Sequence, residues 1–303
     1  MGLEPRQLMH LALVAEHGSF SAAAAASRMS QPALSSSIAL LERAVGAPVL
    51  TRGRHGARLT ALGHRLVRHA QAVQTQLAQA AEEARLARLG GEGPLTVGVT
   101  PITAANLVPQ ALELAKRLHR HVAVAIIEDV FDASMVLLRN RAVDLVVGPI
   151  GVYPAAPDIL EVHLADDPLA LVVRAGHALA RRRSIALDQL RDADWVLPSE
   201  MSAFRKQVEA LFVTAGLQWP TFCITTNSMT ALKSTVMHTD GVTVMAKRLV
   251  TLECEAGRLA CVDLRDRGHQ RALGVRFLRH PGLSPLAQQF LEILQAVARQ
   301  ETD

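Results

Sequence analysis

Residues 18–50, GSFSAAAAASRMSQPALSSSIALLERAVGAPVL, decide the fold of the N-terminal part of the chain. Gly18 ends a first helix, and the serines beside it begin a short alanine-rich second helix whose small side chains allow close packing. A tight turn leads to Ser30, a favourable N-cap, and the following helix runs to Gly46. The pattern therefore predicts a helix-turn-helix.

The second helix of this pair has two different faces. Apolar side chains recur at spacings of four, three and four residues and predict one stripe facing a core. These are Leu34, Ile38, Leu41 and Val45. The opposite face carries small and polar side chains, which suit either insertion into a major groove of DNA or an ordinary solvated surface. The DNA-contacting residues predicted here are Ser30, Gln31, Pro32, Ser35, Ser36 and Arg43.

A basic, glycine-rich loop follows the helix-turn-helix. Residues 48–50 predict a short strand, residues 52–58 the loop, and residues 59–60 its return, so that together they form a wing. Arginines in such a loop either bind phosphates and probe a minor groove or remain solvated. The candidates are Arg52, Arg54 and Arg58.

Excess positive charge is confined to the first part of the chain. Residues 1–90 carry 10 Lys+Arg against 5 Asp+Glu, whereas residues 91–303 carry 22 against 23. Neutralising phosphates releases counterions and drives association. The charge distribution is compatible with a polyanionic partner for the N-terminal region, and equally with a basic surface that binds no nucleic acid.

The three cysteines are an odd number without metal-ligand spacing, which indicates neither a disulfide framework nor a zinc site. They suit a reducing compartment. The N-terminus does not resemble a targeting segment, and no apolar run has the length of a membrane span. We expect a cytoplasmic protein with no membrane partner.

The sequence from Thr60 to Leu89 has no proline and no glycine after Gly63, which predicts one long helix beginning at Thr60. Small and apolar residues repeat along it at alternating spacings of four and three, as in a coiled-coil seam. The same stripe is compatible with packing on the chain's own C-terminal region. The predicted dimerisation positions are Leu66, Ala70, Val73, Leu77, Ala80 and Ala84.

A glycine-proline cluster at residues 90–94 marks a hinge. Beyond it, short runs rich in branched apolar residues alternate with helical lengths, which predicts βαβ units and mostly parallel sheets. The predicted strands lie at 95–99, 122–127, 143–147, 169–173, 222–225 and 242–245.

The run from Leu8 to Gly63 resembles the DNA-binding head of LysR-type transcriptional regulators. The resemblance rests on GSF at 18–20, SQPALS at 30–35, the Ile-x-x-Leu-Glu step at 38–42 and LTxxG at 59–63. One departure is that family members often carry a basic or amide residue where this chain has Ser36 and Ser37. The operator sequence therefore cannot be transferred from a relative.

The resemblance implies a winged helix-turn-helix, then a long linker helix, then a two-lobed α/β effector domain similar to periplasmic binding proteins. The implied boundaries are 1–59 for the DNA-binding domain, 60–91 for the linker and hinge, and 92–303 for the effector domain. Within it, lobe one takes 92–163 and 268–303, and lobe two takes 164–267, so the chain crosses between the lobes twice.

The resemblance also implies partners. These are double-stranded DNA carrying a promoter with an interrupted inverted repeat, RNA polymerase, and a second copy of the chain. Linker helices are expected to pair antiparallel in a homodimer, and two dimers to form a homotetramer.

Three loops that leave a strand and start a helix are candidate anion sites, because free backbone N–H groups converge there. Each hydroxyl is also compatible with a plain N-cap, and Phe204 with a core position. The predicted effector contacts are Thr100, Ile102, Thr103, Ser199, Ser202, Phe204 and Asn227. No cofactor is expected beyond a small-molecule effector, for which a small anionic metabolite is one compatible class.

Two other functions are less compatible with the residues. The sequence has no nucleophile elbow, Walker loop, zinc-protease motif or dinucleotide-binding motif, so we expect no enzyme. A periplasmic ligand-binding protein would account for the two lobes. It would require an export signal, however, and would not require the head.

Overall fold

A computed structural model describes residues 2–53, 56–88, 91, 93–129, 131–151, 156–200, 204–265 and 270–300, with backbone only for 52, 53, 56, 131, 132, 270 and 271. The chain divides into two compact units. The first is Met1–Pro94 with Arg139–Ala142, and the second is Leu95–Leu138 with Val143–Asp303. Among the helices of the described residues, none combines the length and apolarity needed to cross a bilayer.

The first unit contains the predicted helix-turn-helix and wing. Its elements are α1 (Pro5–His17), α2 (Phe20–Ala26), α3 (Gln31–Val45), β1 (Leu50–Gly53), β2 (Gly56–Leu59) and α4 (Ala61–Arg88). We call α1 to β2 the head. Strands β1 and β2 pair antiparallel, with Leu50 opposite Leu59.

Local capping places these helices as predicted. Gly18 ends α1 in the left-handed region at φ 68°, where glycine avoids the steric cost of a Cβ. The Ser19 hydroxyl accepts the N–H of Ala22 at 3.2 Å and begins α2. In the same way, the Ser30 hydroxyl accepts the N–H of Ala33 at 3.3 Å and begins α3. Each cap satisfies a backbone donor that the helix leaves unpaired.

The long helix α4 is shared between the head and the linker. Leu66 and Ala70 are buried and pack in the core of the head with α1 and α3. The core of the head thus already covers these two side chains, and their place in a dimer seam remains a prediction. Val73 is half-buried, and Leu77 is exposed. Ala80 and Ala84 are exposed as well.

The second unit begins with the elements that follow the hinge. These are β3 (Pro94–Val99), α5 (Pro101–Ala105), α6 (Leu107–Leu118), β4 (Ala123–Glu128), α7 (Phe131–Arg139), β5 (Leu145–Pro149) and β6 (Ile159–Arg174). After them come β7 (Ser184–Ile185), β8 (Trp195–Pro198), α8 (Arg205–Thr214), β9 (Cys223–Thr226), α9 (Met229–His238), β10 (Thr243–Ala246), α10 (Thr251–Glu255), β11 (Leu259–Leu264), β12 (Gln270–Leu278) and α11 (Pro285–Gln300). Short 3-10 helices lie at Ala178–Arg181, Leu187–Leu190 and Lys247–Val250.

Two separate apolar cores define two lobes in this unit. The first surrounds Val97, Leu145 and Phe290, and the second surrounds Leu171 and Trp195. Strand β6 serves both, since Leu164 and Ala165 pack in the first core and Leu169 to Val173 in the second. The two-lobed fold is thus present, while the residue boundaries of the lobes remain a prediction.

The prediction of mostly parallel sheets is wrong for the strands that join the lobes. Strand β3 pairs parallel with β5, and β8 with β9. Strand β6, however, pairs antiparallel with β12 along nearly its whole first half and then with β10 and β11. The first half of β6, β11 and β12 were not predicted, because charged residues interrupt their apolar pattern and long-range pairing holds them extended.

Candidate nucleic-acid interface and ligand cleft

The orientation of α3 follows its apolar stripe. Leu34, Ile38 and Leu41 are almost fully buried in the head, and Val45 packs beside them. The predicted outward residues Gln31, Pro32, Ser36 and Arg43 are exposed, as is Ser30, while Ser35 is half-buried. Direct contact of these residues with DNA remains a prediction.

Leu40 also lies on the outward side of α3, although it is not among the DNA-contacting residues predicted from the sequence. Its side chain is 40% exposed, one turn beyond Ser36 and one turn before Arg43. A helical spacing of four residues from Ser36 would have placed it there. An exposed leucine on a helix that enters a major groove can contact the methyl group of thymine.

Ser37 points toward α1 and not outward. Its hydroxyl lies 2.7 Å from Nδ1 of His10. Burial, and secondarily the positive charge of Arg6, hold the pKa of His10 below its usual value. The neutral imidazole that this favours can share a hydrogen bond with the serine. Of the two serines that depart from the family pattern, Ser36 is therefore the one exposed for a partner.

Glu42 connects α3 to the start of the wing. Its carboxylate Oε1 accepts the backbone N–H of Val49 at 2.9 Å and that of Leu50 at 3.3 Å. Val49 and Leu50 are buried, so their amides would be costly to leave unpaired. The glutamate of the Ile-x-x-Leu-Glu step thus positions the wing. The Ile-x-x-Leu-Glu pattern marks this residue but does not indicate its hydrogen bonds to the wing.

Gly63 allows α4 to approach the wing closely. A Cβ added there would overlap the carbonyl oxygen of Val49 and lie 3.2 Å from its carbonyl carbon. The Thr60 hydroxyl donates to the carbonyl of Pro48 at 2.9 Å and accepts the N–H of Gly63 at 3.0 Å. The threonine and the glycine of LTxxG therefore connect the helix to the strand entry.

The wing is attached to the turn between α1 and α2, since the N–H of Ala57 donates to the carbonyl of Gly18 at 3.0 Å. Arg58 is exposed on β2. Arg54 lies outside the described residues, and Arg52 is described only in its backbone. The wing thus lies next to the helix-turn-helix, with one described arginine side chain exposed.

On the first lobe, the predicted anion loop follows β3. Thr100 and Thr103 are both buried. The Thr103 hydroxyl donates to the carbonyl of Val147 at 2.7 Å and accepts the N–H of Thr100 at 3.2 Å. These hydrogen bonds hold α5 against β5, and contact of Thr103 with an effector remains a prediction.

On the second lobe, Ser199 and Asn227 lie side by side at the carboxyl ends of the parallel strands β8 and β9. Pro198 is paired with Thr226, and the N–H of Ser199 donates to the carbonyl of Thr226 at 2.9 Å. Asn227 is exposed. Ligands of α/β folds bind outside such strand ends. Ser202, another predicted contact of this lobe, lies outside the described residues.

Two other predicted effector contacts are core residues. Phe204 packs in the core of the second lobe, and Ile102 packs in that same core although it belongs to α5 of the first lobe. Asn106 Nδ2 also donates to Thr251 Oγ1 at 3.4 Å. Phe204 thus has the core position that the sequence also allowed, and contact of Ile102 and Phe204 with an effector remains a prediction. Ile102 and Asn106 join the two lobes.

Comparison with known proteins covers nearly the whole chain. The family described as "Bacterial regulatory helix-turn-helix protein, lysR family" matches residues 5–64, and the "LysR substrate binding domain" matches residues 88–299. The transcriptional regulator GbpR of Azospirillum brasilense is 28% identical over 98% of this chain and 87% of its own length. The SDS degradation transcriptional activation protein of a Pseudomonas species is 32% identical over 86% of this chain and 84% of its own length.

Solved structures share the fold. The crystal structure of full-length CbnR complexed with its target DNA superimposes with a TM-score of 0.70 at 22% identity, covering 97% of this chain and 100% of that one.

Proposed function

This chain belongs to the LysR family of bacterial transcriptional regulators, and on that premise we propose which of its residues bind DNA and effector. The family assignment makes it a DNA-binding regulator with an effector-binding domain, and not an enzyme. The observation that carries the proposal is the exposed, small and polar face of α3 beside the basic wing.

The DNA interface that we propose uses α3 for base contacts and the wing for phosphates. Gln31 stands at the exposed start of α3, where its amide can pair with adenine. Arg58 on β2 supplies positive charge beside the helix. Ser36, Leu40 and Arg43 continue the contact surface along α3.

The effector site that we propose is the cleft between the lobes, at the strand ends bearing Thr100, Ser199 and Asn227. Hydroxyl and amide groups at these ends suit a small anionic metabolite. A ligand that binds one lobe arrangement better shifts the population toward it. Because α4 connects the head to the effector domain along the chain, we infer that this shift alters the spacing of paired heads, and thereby the response of RNA polymerase.

The assembly that we propose is a homodimer paired through the exposed part of α4, and a homotetramer of two such dimers. Leu77, Ala80 and Ala84 are exposed on α4 and available to a partner helix. In the second unit, strand β9 exposes Ile224, with Phe222 beside it 94% exposed. Exposed apolar side chains of this kind favour contact with another protein surface. Two paired heads would fit an interrupted inverted repeat.

Gln31→Ala and Arg58→Ala should weaken DNA binding in different ways. Gln31→Ala should lower the preference for one base position per half-site by about 1–3 kcal/mol, because a base-edge contact is lost. Arg58→Ala should weaken binding to operator and random DNA alike and reduce the salt slope by about one. Binding isotherms on both DNAs at several salt concentrations measure both effects.

The two variants are controls for each other, since both side chains are exposed and neither packs in the core. Unchanged base preference in Gln31→Ala would show that the orientation assigned to the start of α3 does not place this amide on a base. An unchanged salt slope in Arg58→Ala would remove this part of the wing from the DNA interface.

Asn227→Ala should weaken effector binding. Thermal-shift screening of the full chain against small organic acids should identify a ligand that adds about 2.7 kcal/mol of stability at 100 times its Kd. Loss of one hydrogen bond to a charged ligand should then raise the Kd by roughly 10- to 100-fold in Asn227→Ala. Gln218→Ala, which removes an exposed amide outside the loop, should bind the ligand like the wild type.

Operator footprinting with and without that ligand tests the transmission step. We expect a changed protection pattern in the wild type and no change in Asn227→Ala. An identical pattern at saturating ligand would contradict the head-spacing mechanism.

A further inference from the structure

Two of the three cysteines lie in contact. The Sγ atoms of Cys254 and Cys261 are 3.7 Å apart, and both side chains are half-buried against the core of the second lobe. Six residues separate them in sequence, a spacing that matches no metal-ligand motif. Their proximity is therefore a property of the fold.

A tight turn brings the two thiols together. Helix α10 ends at Glu255, and Gly257 adopts the left-handed conformation at φ 66°, which reverses the chain. The N–H of Gly257 donates to the carbonyl of Cys254 at 3.0 Å. Strand β11 then holds Cys261 opposite Val172 of β6. Both ends of the pair are thus anchored in regular structure.

We propose that Cys254 and Cys261 form an oxidisable dithiol that closes to an intramolecular disulfide. With hydrogen peroxide as oxidant, one thiol becomes a sulfenic acid and one water is released. The second thiol then loses its proton, and its sulfur displaces the hydroxyl of the sulfenic acid as a second water. Two thiols and one peroxide therefore give one disulfide and two waters. The sulfurs must move from 3.7 Å to about 2.05 Å.

The surroundings of the pair make this oxidation slow at neutral pH. Burial, then the neighbouring Cys254, raise the pKa of Cys261 to about 12. Burial also raises the pKa of Cys254. Among the charged groups, Asp263 on β11 and Glu253 and Glu255 on α10 disfavour a thiolate, while Lys247 favours one. Because the thiolate is the reactive form, the rate should rise about tenfold per pH unit between pH 7 and 9.

Closing the disulfide would act on the contact between the lobes. Cys254 follows Thr251, the acceptor for Asn106 of the first lobe, by one helical turn. The preceding 3-10 helix Lys247–Val250 packs against α5 of the first lobe. A disulfide between α10 and β11 would therefore alter the segment formed by the 3-10 helix and α10, which the first lobe contacts. This regulatory consequence rests on the proposed function, whereas the disulfide itself does not.

Peptide mapping of the full chain tests the disulfide. The protein is treated with diamide at pH 8, which takes two hydrogens and becomes the hydrazine, and is then alkylated and digested with trypsin. Cleavage after Arg248, Arg258 and Arg265 places the two cysteines in separate peptides, 249–258 and 259–265. We expect these peptides joined by a disulfide, and separated again by dithiothreitol.

Cys223→Ser is the matched control, and it should still yield the joined peptides, whereas Cys254→Ser and Cys261→Ser should not. Cys254→Ala replaces Cys254→Ser if the serine variant fails to fold. The proposal is overturned if both thiols remain alkylated after diamide, or if the disulfides formed involve Cys223 or a second chain. Since no DNA is present, failure of the DNA interface leaves this result unaffected.

Discussion

Gly63→Ala is expected to lower the free energy of unfolding of the head by about 2–4 kcal/mol and to abolish specific DNA binding. The added methyl group would overlap the backbone oxygen of Val49, which cannot rotate away as a side chain would. The gain in helix propensity from glycine to alanine, about 1 kcal/mol, offsets only part of this cost. To accommodate the methyl group, α4 must move away from the wing and break the hydrogen bond between Thr60 and Pro48.

Hydrogen exchange of the head and operator binding of the full chain measure this effect. Protection should fall in residues 48–53 and 56–63, and specific operator binding should be lost with it. Gly2→Ala is the matched control, because the same methyl group there meets no atom within 4 Å. Wild-type protection and binding in Gly63→Ala would show that the helix and strand do not approach as closely as described.

Leu34→Ala should destabilise the head by about 2–5 kcal/mol, since it removes a fully buried side chain from α3 and leaves a cavity. Leu40→Ala makes the same chemical change on the same helix where the side chain is 40% exposed. Surface substitutions of this kind usually change stability by about 0.5 kcal/mol or less. Leu40→Ala should instead reduce operator affinity, because Leu40 lies on the face proposed to enter the major groove.

Urea denaturation and operator binding of both variants separate the two roles. We expect Leu34→Ala to unfold at lower urea and Leu40→Ala to unfold like the wild type while binding operator less tightly. The reverse pattern, with Leu40→Ala the less stable protein, would mean that Leu40 packs in the core and that Leu34 lies on the outward face of α3.

Much of the head could be predicted from the sequence because its signals are local. Helix ends depend on caps such as Ser30 and Gly46, which act within a few residues. The side of α3 that faces the core follows from the spacing of Leu34, Ile38 and Leu41, since a helix repeats every 3.6 residues. The family resemblance of residues 8–63 rests on the same local patterns.

The tertiary structure alone decided which distant groups meet. Glu42 binds the amides of Val49 and Leu50, and the Thr103 hydroxyl binds the carbonyl of Val147, through contacts that no periodicity encodes. Leu66 and Ala70 fit the heptad of a dimer seam, yet the core of the head covers them.

The same limit applies to the strands and the thiols. The antiparallel course of β6 and β12 depends on pairing between segments that are separate in sequence. The contact of Cys254 with Cys261 depends on the turn at Gly257 and on the register of β11 against β6. The amino-acid sequence by itself thus determined the head's helices and their buried faces, because propensity, capping and periodicity are local. Partners and burial across the chain depend on long-range packing, and only the folded structure decided them.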